Sequence, residues 1–271
     1  MVLTRRGSLK PAVLLLWRYA LPTAGIATAQ AGAALRVAAA SDLNFVLPLL
    51  LAKFQHESGI RVEASYGSSG NFARQIRQGL PVDLFMSADE SWVEQLMQAG
   101  FTRRLPGAAG ARRDRGAVYA HGRLALYVTR DANLGLDPAL AGVRAGWKQV
   151  DKFAIANPEH APYGRAAREA LETLGLWDMV RPKLVLGENI AQATQFVATG
   201  AAQAGITALS LALAPAVATR GRHVALPADL HRPLRQRMVL TQSAPPLAQR
   251  LYDYLQSAPA RSLLQQYGFE F

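Results

Sequence analysis

The period of apolar and polar positions changes several times along the chain, and each change predicts an element. Leu35 to Ala40 is an almost unbroken apolar run, the pattern of a strand buried on both faces. Leu43, Val46, Leu47, Leu50 and Phe54 then recur at i, i+3, i+4, i+7 and i+11, one face of a helix that Gly59 closes. Pro48 suits that helix only in its first turn, so the helix starts near Val46 or is kinked there. Ile60 to Ser65 predicts a second strand, Asn71 to Gln78 a helix with Phe72 and Ile76 inward, and Val82 to Ser87 a buried strand. Ala88 to Met97 predicts a further helix, ended by Gly100.

Gly100 to Arg115, rich in Gly, Ala, Pro and Arg, predicts a surface loop, and a strand pair signal follows at Ala117 to Ala120 and Arg123 to Thr129. The rhythm then restarts. Strands at Lys152 to Ala156, Lys183 to Leu186 and Ala204 to Thr207 alternate with helices at Tyr163 to Leu174, Ile190 to Ala198 and Leu209 to Val217. Strand-like Val224 to Leu226 and Met238 to Thr241 bracket a basic linker, and Pro246 to Gln256 with Pro259 to Tyr267 are helical. Such alternation predicts parallel α/β sheets, and the restart near residue 120 predicts two lobes.

In open α/β sheets a ligand sits outside the carboxyl ends of the strands. Five turns belong to that edge, each just before a helix: Ala38-Ala39-Ala40-Ser41-Asp42, Tyr66-Gly67-Ser68-Ser69-Gly70-Asn71, Asn157 to Gly164, Gly187-Glu188-Asn189-Ile190 and Thr207-Ala208-Leu209-Ser210. Free first-turn N–H groups and serine hydroxyls facing one point make an anion cradle without a formal charge. The plainer alternatives are that Ser41, Ser68 and Ser69 are helix caps and that Tyr163 packs over Pro162 with only its backbone relevant.

Residues 1–29 stand apart. Arg5, Arg6 and Lys10 precede an apolar run from Pro11 to Trp17, and Ala27-Thr28-Ala29 supplies an A-x-A cleavage site, the pattern of a signal peptide; the paired arginines loosely resemble a twin-arginine signal. Its removal takes four basic and no acidic residues and lowers the net charge from +11 to +7. The remaining excess is densest at Arg103-Arg104 and Arg112-Arg113-Asp114-Arg115, without interleaved aromatics, which favours a solvated loop over a nucleic-acid surface. The chain has no cysteine, and its histidines lack ligand spacing, so neither a thiol nucleophile nor a metal centre is expected. A serine hydrolase is disfavoured because Gly67-Ser68-Ser69-Gly70 misses the G-x-S-x-G spacing by one residue. A regulatory sensing domain is disfavoured by the export signal and by the absence of a helix-turn-helix pattern.

Four motifs, in order and at matching spacing, carry a resemblance. They are Ala38 to Leu43, Gly67-Ser68-Ser69-Gly70 followed by Ala73-Arg74-Gln75-Ile76, Pro81 to Asp89, and Asn157-Pro158-Glu159-His160-Ala161-Pro162-Tyr163-Gly164. Together they resemble the periplasmic molybdate-binding proteins of ABC transporters, from about Leu35 to Phe269. The resemblance implies an α/β, two-lobe type II periplasmic binding protein fold, each lobe a mixed, mostly parallel sheet flanked by helices, with the ligand cleft between lobes. It implies a signal peptide at 1–29, a first lobe from 34–120 and 223–271, a second from 121–222, and chain crossings near 117–122 and 222–238. It further implies a periplasmic monomer that is not an enzyme, carries no cofactor, captures molybdate or tungstate and passes it to a membrane permease. Another oxyanion, such as sulfate or phosphate, is the runner-up. Carried onto this chain, the ligand contacts fall on Ser41, Ser68, Ser69, Tyr163 and Ile190. Two departures stand out: Ala208 follows Gly205-Ile206-Thr207 where many relatives supply a tyrosine hydroxyl, for which the Tyr163 phenol is the candidate replacement, and Asp42 places a carboxylate beside a dianion. Repulsion predicts that Asp42 points away or caps its helix.

Overall fold

The computed structural model describes residues 34–105 and 113–271. The expected signal segment therefore lies outside the described residues, as do residues 106–112 of the basic loop. The first sheet begins with β1 (Leu35–Ala40), β2 (Val62–Gly67) and β3 (Leu84–Ser87), connected by α1 (Val46–Ser58) and α2 (Ser69–Arg77). α3 (Glu90–Gln98) and β4 (Ala117–Gly122) follow. The second sheet is built from β5 (Leu124–Thr129), β6 (Phe153–Ala156), β7 (Leu184–Gly187), β8 (Ala204–Ala208) and β9 (Gly221–Ala225). Between these strands run α4 (Ala141–Ala145), α5 (Pro162–Thr173), α6 (Trp177–Val180), α7 (Ile190–Ala198), α8 (Leu209–Ala212) and α9 (Pro215–Ala218). β10 (Leu234–Leu240), α10 (Ala248–Tyr254) and α11 (Ala258–Gln266) complete the chain.

The two sheets share one plan. Their strand orders are β2-β1-β3-β10-β4 and β7-β6-β8-β5-β9, and in each the first three strands pair in parallel while the last two join antiparallel. The chain leaves the first sheet along β4 and enters the second along β5, then leaves by β9 and returns by β10. We call the halves around these sheets lobes.

The pair signal at 117–120 and 123–129 does not become a hairpin. Only Arg123 separates β4 from β5, and a hairpin needs at least a two-residue loop, so the chain runs on into the other sheet.

Both faces of the sheets are covered, which is why the strands read as continuous apolar runs. In β1, Leu35, Val37 and Ala39 pack with α1, α10 and α11, while Ala38 faces Phe72, Ile76, Val93 and Leu96 of α2 and α3. In the second lobe Leu124, Leu126 and Val128 pack with Phe153 and Ile155, and Tyr127 turns to the opposite cluster with Val197 and Val217. α1 begins at Val46, which puts Pro48 in the first turn, and ends on Gly59 at φ 70°, a left-handed cap that glycine adopts without strain. Leu43 belongs instead to a short 3-10 turn, Ser41–Leu43. β2 runs to Gly67, so α2 starts directly at Ser69 and not at Asn71. Pro215 divides the expected helix at 209–217 into α8 and α9.

Candidate functional site

The strand-to-helix turns of both lobes meet at one small cavity, lined by Ser41, Ser68, Ser69, Tyr163 and Ile190 among others. Among the described residues no lysine, arginine or histidine lines it. The lobes meet backbone to backbone at Gly70, whose N–H donates to the His160 carbonyl at 3.0 Å. A Cβ there would lie 2.6 Å from that carbonyl oxygen, so only glycine admits this contact.

None of the three serine side chains makes a capping hydrogen bond, although Ser68 stands at the N-cap position of α2. The cavity's neighbours use true caps elsewhere: Asp89 accepts from the Ser91 amide at α3, and Asn189 from the Gln192 amide at α7. What the serine hydroxyls do can be read from their partners. Ser41 Oγ accepts the Ala191 N–H at 3.3 Å, and Ser69 Oγ accepts the Ala88 N–H at 3.0 Å. A hydroxyl that accepts a backbone N–H keeps its own hydrogen for another acceptor. Ser68 differs, because its hydroxyl donates to the His160 carbonyl at 2.6 Å and lies 2.9 Å from His160 Nδ1. Its hydrogen is committed to closing the lobes.

Backbone donors complete the cavity wall. Ser69 and Ile190 are the first residues of α2 and α7, and Tyr163 is the second of α5, so their N–H groups have no acceptor within their helices. Three helix N-termini thus bring partial positive charge to one point. Pro162 opens α5, where a missing N–H costs nothing.

Asp42 is buried, and its side chain neither caps a helix nor forms an ion pair among the described residues. Oδ2 accepts from the Tyr163 hydroxyl at 3.0 Å and from Gln236 Nε2 at 2.6 Å. Gln236 Nε2 also reaches the Tyr163 oxygen at 3.1 Å, and Gln236 Oε1 accepts from the Tyr119 hydroxyl at 2.7 Å. Oδ1 is buried without a partner. Burial raises the Asp42 carboxyl to about 6, against the lowering pull of Gln236, Tyr163 and nearby backbone N–H groups. Burial, and after it the Asp42 charge, pushes the Tyr119 and Tyr163 phenols well above their ordinary range.

The Tyr163 phenol, expected to replace the hydroxyl missing at Ala208, donates here to Asp42. The turn at 207–210 does not line the cavity; its Ser210 hydroxyl instead supports the Asp42 carbonyl at 2.8 Å. Ala88, Gln236 and Tyr119 escaped the sequence reading. Gln236 is 194 residues from Asp42 and lies in a β-strand with no local motif, so nothing in its neighbourhood could have marked it.

Additional contacts bridge the lobes. Arg165 of α5 pairs with Asp89 at the start of α3, and Asn71 of α2 with Glu188 before α7. Among the described residues no cluster of acidic and histidine side chains fits a metal ion, and no helix is long and apolar enough to cross a membrane.

Comparison with known proteins agrees with this architecture. The family described as bacterial extracellular solute-binding protein matches residues 35–270. The molybdate-binding protein ModA of Azotobacter vinelandii is 36% identical over 246 residues, spanning 90% of this chain and 92% of the relative. ModA of Rhodobacter capsulatus is 34% identical over 243 residues, covering 88% and 89% of the two chains. The solved structure of the Azotobacter vinelandii periplasmic molybdate-binding protein superposes with a TM-score of 0.76 at 30% identity, over 88% of this chain and 99% of that one. The two-sheet plan, the cavity between the sheets and these similarities together show that the chain belongs to the bacterial extracellular solute-binding proteins, in the group of the molybdate-binding relatives.

Proposed function

We propose that this protein captures molybdate in the inter-lobe cavity and delivers it to the permease of an ABC importer. The observation that carries the reading is the hydroxyl accounting: Ser41 and Ser69 each accept a backbone N–H and so present their hydrogens as donors, beside the first-turn amides of Tyr163 and Ile190. Neutral donors in fixed directions stabilise a dianion through charge-assisted hydrogen bonds without desolvating a cation. Tungstate, of the same charge and nearly the same size, enters the same site. Ser68 acts beside the anion as an inter-lobe clasp.

The ligand is held and not transformed. Ser68, His160 and Glu188 approach a hydrolase arrangement, with Glu188 Oε2 3.6 Å from His160 Nε2. The Ser68 hydrogen goes to a carbonyl, however, so the imidazole must donate to the serine, the reverse of a general base. The protein works as an exported monomer whose lobes, 34–120 with 223–271 and 121–222, close on the ligand by bending at the two crossings.

Calorimetric titration with molybdate, tungstate, sulfate and phosphate tests the assignment. Saturable binding of one molybdate or tungstate per chain, with sulfate and phosphate much weaker, is the expected result. Tight sulfate or phosphate binding without molybdate binding would overturn it.

A further inference from the structure

Among the described residues, Asp42 is the one acidic residue in the wall of a cavity otherwise furnished with neutral donors, and its carboxylate is bonded to Tyr163, which lines the same cavity. Its own surroundings are also neutral. Tyr163 faces it from α5 and Gln236 from β10, with Tyr119 of β4 behind Gln236, and Ser210 of α8 holds its carbonyl. Both phenols are held protonated at neutral pH by burial, and no arginine, lysine or histidine pairs with the carboxylate among the described residues. A charged carboxylate has two oxygens that seek donors; here Oδ2 has two, and Oδ1 makes no hydrogen bond although the Asp42 and Leu43 N–H groups lie near the carboxyl. An unpartnered, buried carboxylate oxygen is unfavourable when the group is ionised and is the natural seat of a proton when it is not.

From this geometry, and resting on the oxyanion reading above, we propose that Asp42 couples anion capture to proton uptake: the dianion binds to the form of the protein in which Asp42 Oδ1 carries a proton. The balance is simple. One dianion and one proton from solvent join a protein whose Asp42 was ionised; the proton forms a bond to Oδ1, no other bond changes, and net charge in the cavity rises by one negative unit instead of two. Oδ2 keeps its bonds from Tyr163 and Gln236 throughout. Two like charges in neighbouring low-dielectric surroundings without a counter-cation disfavour each other, so the anion raises the carboxyl further from a starting point of about 6. The coupling also gives Asp42 a part in selection, because an anion can enter at full affinity only with the carboxyl neutralised.

The test is calorimetric titration of the whole chain with molybdate from pH 6 to pH 9, where molybdate itself stays the fully deprotonated dianion. Buffers of different ionisation enthalpy report the protons taken up. The parent should take up close to one proton per anion near pH 8, with affinity falling toward tenfold per pH unit above the carboxyl's free value, the limit for one linked proton. Asp42→Asn should abolish both the uptake and the pH dependence and bind more tightly than the parent at pH 9. Binding without proton uptake in the parent, or equal uptake in Asp42→Asn, would overturn the coupling while leaving molybdate capture intact. If the parent binds no molybdate at any pH, the proposed function fails and the coupling fails with it. The parent's buffer series decides the matter alone should Asp42→Asn not fold.

Discussion

The Tyr163 hydroxyl donates to Asp42 Oδ2 at 3.0 Å, a bond between α5 of the second lobe and the first turn of the first. It shows that the phenol nearest the cavity serves a carboxylate, and that the carboxylate is held by the opposite lobe. Tyr163→Phe removes this donor, together with the oxygen that Gln236 Nε2 reaches at 3.1 Å, and keeps the ring and backbone. Since the bond lowers the Asp42 carboxyl, its loss should raise that carboxyl above about 6 and carry the pH dependence of molybdate affinity to higher pH. Stability should fall by about 1 kcal/mol, the usual net worth of one hydrogen bond. Titrations at several pH values and urea unfolding check both; a pH-independent loss of affinity would instead place the phenol on the anion.

Ser41→Ala and Ser69→Ala should each weaken molybdate binding by about 1.5 to 3 kcal/mol, roughly ten to over a hundredfold, the cost of a hydrogen bond to a charged group. Ser68→Ala should cost less, because its hydroxyl bonds His160 and that carbonyl keeps the Gly70 N–H. Equal losses at all three serines would show that Ser68 also contacts the anion.

Gly122 ends β4 against the same network, and a Cβ there would lie 2.3 Å from the Tyr163 oxygen and 2.7 Å from Gln236 Nε2. Gly122→Ala should therefore destabilise the protein by about 1 to 3 kcal/mol through overpacking. Adding Tyr163→Phe removes the atom in closest conflict and should recover part of the loss. A double-mutant cycle measured by urea unfolding checks this, and strict additivity would count against the contact.

In the empty protein the Asp42 carboxyl titrates near 6, against 3.8 for the free group. A carboxyl raised by folding binds its proton more tightly in the folded state, so this group favours folding below the lower value and loses that contribution as pH rises through the higher one. Asp42→Asn should thus stabilise the empty protein relative to the parent more at pH 7.5 than at pH 3.5. The difference amounts to about 3 kcal/mol at most, at 1.36 kcal/mol per pH unit. Urea unfolding at the two pH values checks it, and a gain of the same size at both would sink it.

Small-angle scattering should show compaction on addition of molybdate. Arg165→Ala, which removes the ion pair to Asp89 across the lobes, should weaken affinity without touching the anion. Identical curves with and without ligand would count against closure.

Much of this protein was determined by local sequence. β1 read as a strand because both its faces are buried, and α1 as a helix because Val46, Leu47, Leu50 and Phe54 keep one face. The turns at Ser41, Ser68, Tyr163 and Ile190 were visible because small residues before helical periodicity mark helix starts, and those starts meet at one cavity. Other properties depended on contacts between residues far apart in the chain. Ser41, Ser68 and Ser69 look alike as turn serines, yet the partner of each hydroxyl separates donor from clasp, and those partners are Ala191, His160 and Ala88. The destinations of β4 and β5 likewise depended on sheet pairing, which a one-residue link does not announce. Asp42 appeared in sequence only as an ill-placed charge. Its neutral surroundings come from Gln236, 194 residues away, and Tyr163, 121 residues away, because a carboxyl's proton affinity is set by what packs around it in space.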